Sequence, residues 1–185
     1  MPKSIYLSRT PFGWRGPLLL AVLMLWAGFA GSLAYAQQEE GITTIIVIRH
    51  AEKADEAGNS YPGLSAAGLK RAQKIAELLS QEAITAVYAT PYQRTKQTVM
   101  PLAAAQKISI QEYSPIDEKA FKAMLESNTG GKIVICAHSN TVPVLLTYFT
   151  RTQNFTTLAE QEYDKVFIIS KSNSGASSTL KLVVK

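Results

Sequence analysis

The chain alternates short apolar runs with amphipathic stretches. The runs cover residues 45–48, 84–89, 133–136, 166–169 and 180–184, with a weaker one at 108–111. They are short and mostly rich in β-branched residues, which predicts buried strands. The stretches between them carry helix signals. Ser65 reads as an N-cap, followed by Leu69, Ala72, Ile75, Ala76 and Leu79 at helical spacing. Leu64 and Leu69 stand where a hydrophobic staple would pair them. Thr90-Pro91 reads as an N-cap with proline at the first helical position, opening a helix toward Ala105 with a kink near Pro101. Pro115 precedes a third helix from about Asp117 to Glu126. Ser139 or Asn140 caps a fourth through Val144, Leu145, Leu146 and Tyr148. Strand and helix alternate four times, and two strands follow. That order predicts an α/β fold with three αβα layers and a mostly parallel sheet. No internal repeat or linker divides it.

The first forty residues follow a different pattern. Lys3, Arg9 and Arg15 form a basic segment, residues 18–33 are apolar or small, and Ala34-Tyr35-Ala36 is an A-x-A cleavage signature. This predicts a signal peptide over residues 1–36, with one domain over 37–185 in the periplasm or outside the cell. The competing reading is an uncleaved membrane anchor, because the apolar stretch is nearly long enough to span a bilayer. After cleavage, no stable membrane association is expected.

The signal segment also accounts for much of the charge. The chain carries 19 basic and 14 acidic residues, and removing Lys3, Arg9 and Arg15 leaves 16 against 14. The basic balance is therefore no argument for nucleic-acid binding, and no basic cluster with interleaved aromatics supports one. The single cysteine, Cys136, lies inside an apolar run and reads as a buried thiol. Cys136 and His138 gain only His50 as an obvious further ligand, which is short of a structural zinc set. No G-x-G-x-x-G follows the first strand, so a dinucleotide site is not indicated.

The two histidines of the chain, His50 and His138, each close an apolar run. In open α/β sheets, ligands bind beyond the carboxyl ends of the strands. Arg49 precedes the first histidine, and Arg94 falls in the first turn of the helix after the second strand. Two arginines, two histidines and helix N-termini suit an anion. Guanidinium forks match phosphate oxygens, helix starts offer N–H donors, and a neutral imidazole can attack phosphorus.

Four segments then resemble one family. Arg49-His50-Ala51-Glu52-Lys53 resembles the Arg-His signature of the histidine phosphatase superfamily, the phosphoglycerate mutase-like proteins of branch 1. Leu64-Ser65-Ala66-Ala67-Gly68 resembles its next element. Thr90-Pro91-Tyr92-Gln93-Arg94-Thr95-Lys96-Gln97-Thr98 resembles its S-P-x-x-R-x-x-Q-T element. Ala137-His138-Ser139-Asn140-Thr141 resembles the second-histidine element. The resemblance spans about residues 44–150 and implies a phosphoglycerate mutase-like fold. It also implies that His50 is the phosphorylated nucleophile, that Arg49, Arg94 and His138 line the phosphate pocket, and that neither metal nor cofactor is needed.

The chain departs from the family pattern at two places. Ala51 and Lys53 stand where many relatives have Gly and then Ser or Thr. Lys53 either adds charge beside the substrate or is a solvated loop lysine. Asn140 is a helix cap first and a substrate contact second. The proton donor lacks a clean motif. Asp117 is the named candidate, with Glu112, Glu118 and Glu52 beside it; the plainer reading of Asp117 is a carboxylate in a helix first turn. Tyr163, Asp164 and Lys165 read as structural. The whole predicts an exported phosphomonoester hydrolase acting on a small phosphorylated substrate, such as a sugar phosphate or envelope glycan phosphate. The alternatives are a non-catalytic phosphate- or glycan-binding protein and a phosphohistidine-protein phosphatase.

Overall fold

The computed structural model describes residues 41–55 and 58–184. The predicted signal peptide and its cleavage after Ala36 lie outside the described residues. Within them, the apolar runs form β1 (Thr43–Arg49), β2 (Ala86–Ala89), β3 (Ile110–Glu112), β4 (Lys132–Ala137), β5 (Lys165–Lys171) and β6 (Ser177–Val183). The amphipathic stretches form α1 (Ala66–Leu78), α2 (Gln93–Gln106), α3 (Glu118–Ser127) and α4 (Val142–Thr150).

The strands build one sheet in the order β3-β2-β4-β1-β5-β6. β3, β2, β4 and β1 run parallel, and β5 and β6 are added antiparallel. β1 explains why the central strands read as unbroken apolar runs. Ile45 and Val47 pack on one face with Phe121, Leu145 and Phe149 of α3 and α4. Ile46 and Ile48 pack on the other with Ile75, Val99 and Leu102 of α1 and α2. A strand covered on both faces has no polar side to alternate. Each of these side chains contributes about 2 kcal/mol by leaving water. The sheet is thus the middle of the three expected αβα layers. β6, mostly exposed, closes one edge with Ser, Thr and Lys side chains.

Several local expectations are corrected. Leu69 does not staple to Leu64: it is 53% exposed, whereas Leu64 is buried against Ala51 and Ala72. The inward stripe of α1 runs through Gly68, Ala72, Ile75 and Ala76, and Leu69 lies one residue off it. Thr90 does not cap α2. That helix starts at Gln93 behind Tyr92, which makes no side-chain cap bond, and it continues through Pro101. Neither Ser139 nor Asn140 caps α4; Thr141 holds that position, with Pro143 in the first turn.

The Leu64–Gly68 element has a steric explanation. Ser65 caps α1 by accepting the Gly68 N–H at 3.1 Å, and its own N–H donates to the Glu52 carbonyl at 2.9 Å. The helix start is thereby pressed onto the backbone that follows His50. A Cβ at Gly68 would stand 2.2 Å from the Glu52 carbonyl oxygen. Gly68→Ala is therefore expected to lower stability by about 3 kcal/mol, an overpacking cost against rigid backbone. Urea denaturation of the variant checks this, and an unchanged midpoint would contradict the close approach.

Candidate active site

β1 and β4 are adjacent and parallel, with Arg49 opposite Ala137. The pairing extends one residue past the strand, because the His50 N–H donates to the Ala137 carbonyl at 2.8 Å. His50 and His138 therefore leave the sheet side by side, with ring centroids 5.4 Å apart in an edge-on arrangement. The chain then departs from β1 toward α1 on one face and from β4 toward α4 on the other, which opens a crevice at these strand ends. A cavity of about 600 Å³ lies there. Arg49, His50, Lys53, Arg94, His138 and Asn140 all line it. Six of the seven residues expected at the site are thus brought together.

The seventh, Asp117, is not. Its Oδ1 accepts the Lys119 N–H at 2.9 Å as the cap of α3. Its neighbours Pro115 and Ile116 line the cavity, and Asp117 does not. The other acidic candidates are also engaged elsewhere. Glu52 forms a bidentate pair with Arg71, at 2.7 and 3.0 Å, rather than with Arg49 or Lys53. Glu112 pairs with Lys96. Glu118 borders a separate groove between α3 and α4.

His50 is buried, and its Nδ1 lies 2.7 Å from the Ala51 carbonyl oxygen. A carbonyl only accepts, so Nδ1 carries the proton and Nε2 keeps the lone pair. Burial pushes the His50 pKa down to about 4, and His138, Arg94 and Arg49 push in the same direction. His138 is lowered to about 4 as well, by burial first and then by the two arginines. Both rings are neutral at pH 7.

The Thr90–Thr98 element pins this arrangement. Thr98 Oγ1 accepts the Ala51 N–H at 2.9 Å, and Gln97 Oε1 accepts the Leu64 N–H at 2.7 Å. Together they fix the loop after His50 at both ends. The guanidinium of Arg94 stacks over the Tyr92 ring at 4.5 Å, and that ring meets His138 edge-on at 5.0 Å. Tyr61 stacks on the outer side of Tyr92, with centroids 5.3 Å apart.

Arg49 is held from the opposite side. Its Nη1 donates to the carbonyls of Ala159 and Glu160 at 2.7 and 3.1 Å, and its guanidinium lies 4.1 Å over the Tyr163 ring. Tyr163 therefore supports the site, beyond the structural role expected for it. Glu160 spans two cations, with Oε2 3.3 Å from Arg49 Nη2 and Oε1 3.2 Å from Lys53 Nζ. Lys53 beside it holds the Glu160 carboxyl below the usual carboxylate range. The Nε atoms of Arg49 and Arg94 are buried without a partner. Unpaired buried donors are rare and costly.

Thr90, Tyr92, Glu160 and Tyr163 were not foreseen as site residues. Thr90 and Tyr92 could have been found by asking what stands at the carboxyl end of the strand beside β4. Glu160 and Tyr163 lie in a loop with no pattern of its own, and only the fold brings that loop to Arg49. Among the described residues, no cluster of His, Cys, Asp and Glu is placed to hold a metal ion.

The fold is that of the phosphoglycerate mutase-like histidine phosphatases. The structure of the protein histidine phosphatase SixA complexed with tungstate superposes with a TM-score of 0.62 at 16% identity, covering 76% of this chain and 96% of that one. The native mycobacterial glucosyl-3-phosphoglycerate phosphatase Rv2419c superposes at 0.63 with 13% identity, covering 78% and 100%. Residues 45–124 match the family model of the histidine phosphatase superfamily (branch 1), so the family resemblance read from the sequence is shown over that segment. A curated relative, "Uncharacterized protein Rv0525" of Mycobacterium tuberculosis (strain ATCC 25618 / H37Rv), is 35% identical over 83 residues. That match takes in 42% of this chain and 41% of the relative's length.

The neutral histidines predict a pH dependence of folding. In the unfolded chain both rings take up protons below about pH 6.5; in the folded protein they do so only near pH 4. The unfolded state binds more protons between these values, so stability falls as pH drops through that window. The expected loss by pH 4.5 is about 2 kcal/mol for His50 and less for the half-buried His138, whose shift solvent screens. Denaturant titrations at pH 7, 5.5 and 4.5 measure it, and a His50→Gln/His138→Gln double variant should lose the histidine-dependent part. An identical pH profile in the variant would contradict the assignment.

Proposed function

We propose that this chain is an exported phosphomonoester hydrolase that works through a phosphohistidine at His50. The observation that carries this reading is a neutral His50, anchored through Nδ1, in one cavity with two arginines. His50 Nε2 attacks phosphorus while the bond to the leaving oxygen breaks, and that oxygen takes a proton from solvent. Water then attacks the phosphohistidine, the P–N bond breaks, inorganic phosphate leaves, and the proton lost by the attacking water returns to solvent. Arg49 and Arg94 offset charge on the transferring oxygens, and His138 lines the pocket beside them. The two arginines supply positive charge without a metal ion, so turnover is expected to persist in EDTA.

The substrate we propose is a small phosphate ester with a polar leaving group, such as a sugar phosphate or an envelope glycan phosphate. A phosphate group fills only a small part of the 600 Å³ cavity. The remainder is bordered by Ser60 and Asn140 on polar sides and by Tyr92 and Ile116 on apolar ones. Lys53 and Asn140 are the residues we assign to substrate contact. One neighbour in fold supports an oxyanion in the pocket, since Rv2419c has structures in complex with inorganic phosphate and with VO3. The likeness to SixA favours a second reading, a phosphohistidine-protein phosphatase. Periplasmic or secreted export, inferred from residues 1–36, weighs against it.

Hydrolysis of a chromogenic phosphate ester in EDTA, followed by a panel of sugar phosphates, tests the proposal. His50→Ala should lower kcat by on the order of 10⁴, as removal of a nucleophile does. Brief incubation with ³²P-labelled ester should leave acid-labile, base-stable label on wild type and none on the variant. Activity retained by His50→Ala would overturn the assignment. Glu160→Gln gives a separate prediction. An anion that uses Arg49 and Lys53 must displace the Glu160 carboxylate, so the variant should bind inorganic phosphate about fivefold more tightly, given the strength of exposed ion pairs. Inhibition by phosphate measures it.

A further inference from the structure

Thr90 is fully buried at the end of β2. Its Oγ1 lies 2.9 Å from His138 Nε2 and 2.9 Å from Thr95 Oγ1. Thr95 Oγ1 lies 2.9 Å from the Thr90 carbonyl oxygen and 2.8 Å from the Tyr92 carbonyl oxygen. Carbonyl oxygens only accept, so the single Thr95 hydroxyl proton is committed to them. Thr95 Oγ1 is then the acceptor in its contact with Thr90, and the Thr90 hydroxyl proton goes there. Thr90 Oγ1 has only lone pairs left for His138, so Nε2 of that ring must be the donor. The reverse polarity would turn the Thr95 proton away from the buried Thr90 carbonyl and leave that carbonyl unpaired, at a cost of about 1–3 kcal/mol.

We infer that Thr90, backed by Thr95, is a positioning residue that fixes His138 as its Nε2–H tautomer. The partner bonded at one ring nitrogen decides which nitrogen carries the proton. The two histidines of the site are thereby locked in opposite tautomers. His50 is protonated at Nδ1 and keeps its lone pair on Nε2. His138 is protonated at Nε2 and keeps its lone pair on Nδ1. Proton exchange between His138 and the cavity runs through Nδ1, because Nε2 is bonded to a buried hydroxyl. A second bond fixes the backbone, since the His138 N–H donates to Thr141 Oγ1 at 2.9 Å. For turnover this inference rests on the phosphatase reading; the tautomer itself does not.

Long-range ¹H–¹⁵N correlation spectra of the ¹⁵N-labelled protein at pH 7 test it. The chain has two histidines, so four ring nitrogens are observed, and the His50→Gln variant assigns them. We expect a protonated-type shift for His138 Nε2 and an unprotonated-type shift for Nδ1, with the reverse for His50. Thr90→Val should give averaged His138 shifts and lower kcat/KM by on the order of tenfold, as loss of an imidazole-orienting partner does. Thr90→Ser should restore both. A wild-type His138 protonated at Nδ1 overturns the inference without any variant, as does an unchanged His138 pattern in folded Thr90→Val. The expected tautomers in a protein that hydrolyses no phosphate ester would leave the inference standing and remove the phosphatase reading.

Discussion

The structure depends on the pairing of β1 with β4. These strands are far apart in sequence, and their register, Arg49 opposite Ala137, carries on through the His50 N–H to the Ala137 carbonyl. Side chains alternate across a strand with a period of two, so a slip of one residue would turn every group to the other face. A slip here would exchange the two apolar layers, putting Ile45 and Val47 against α1 and α2. It would also separate His50 from His138. Core packing and site geometry are therefore fixed by one set of hydrogen bonds. The helices that complete the core leave from the same strand ends, so the apolar burial that stabilises the domain also opens the crevice.

Much of this was legible in the sequence. Each central strand is bounded by polar or turn residues, and each reads apolar throughout because both faces are covered. The two histidines close two of those runs, and position alone brought them to one edge. What could not be read was the chemistry of single side chains whose partners come from another element. Thr90 carries the local pattern of a helix cap, and a pattern one turn long cannot show that β4 places His138 within 2.9 Å. Leu69 fits a staple by spacing, but the inward direction of α1 is set by Gly68 against the Glu52 backbone. Asp117 had both a local role and a conjectured distant one; the structure puts it in the local one, capping α3. Glu160 is beyond local reading, because it meets Arg49 across 111 residues.

The charge state of the site follows from burial and crowding. Two guanidinium groups stand beside two imidazoles in a partly buried crevice. Burial makes protonation of the two imidazoles less favourable, and each neighbouring cation adds to the effect. Among the four groups, the histidines are the ones able to give up their protons. The result is a pocket that keeps its positive charge on arginine and its lone pairs on imidazole. That division suits attack on phosphorus, since a protonated His50 would have no lone pair at Nε2.

The way Arg49 is held completes this balance. A carboxylate partner deep in the protein would orient the guanidinium but also cancel its charge. Here Nη1 is bonded to backbone carbonyls of the 159–162 loop, and the Tyr163 ring lies under the plane. These are neutral groups, which fix the orientation and leave the charge for a ligand. Among the described residues, the carboxylate that forms an ion pair with Arg49 is that of Glu160, and its side chain is 58% exposed. Water screens that pair and can replace it. Arg49 is thus rigid through its neutral contacts and exchangeable through its charged one. A pocket meant to release an anion as well as bind it needs that combination, because a buried ion pair would hold the cation closed.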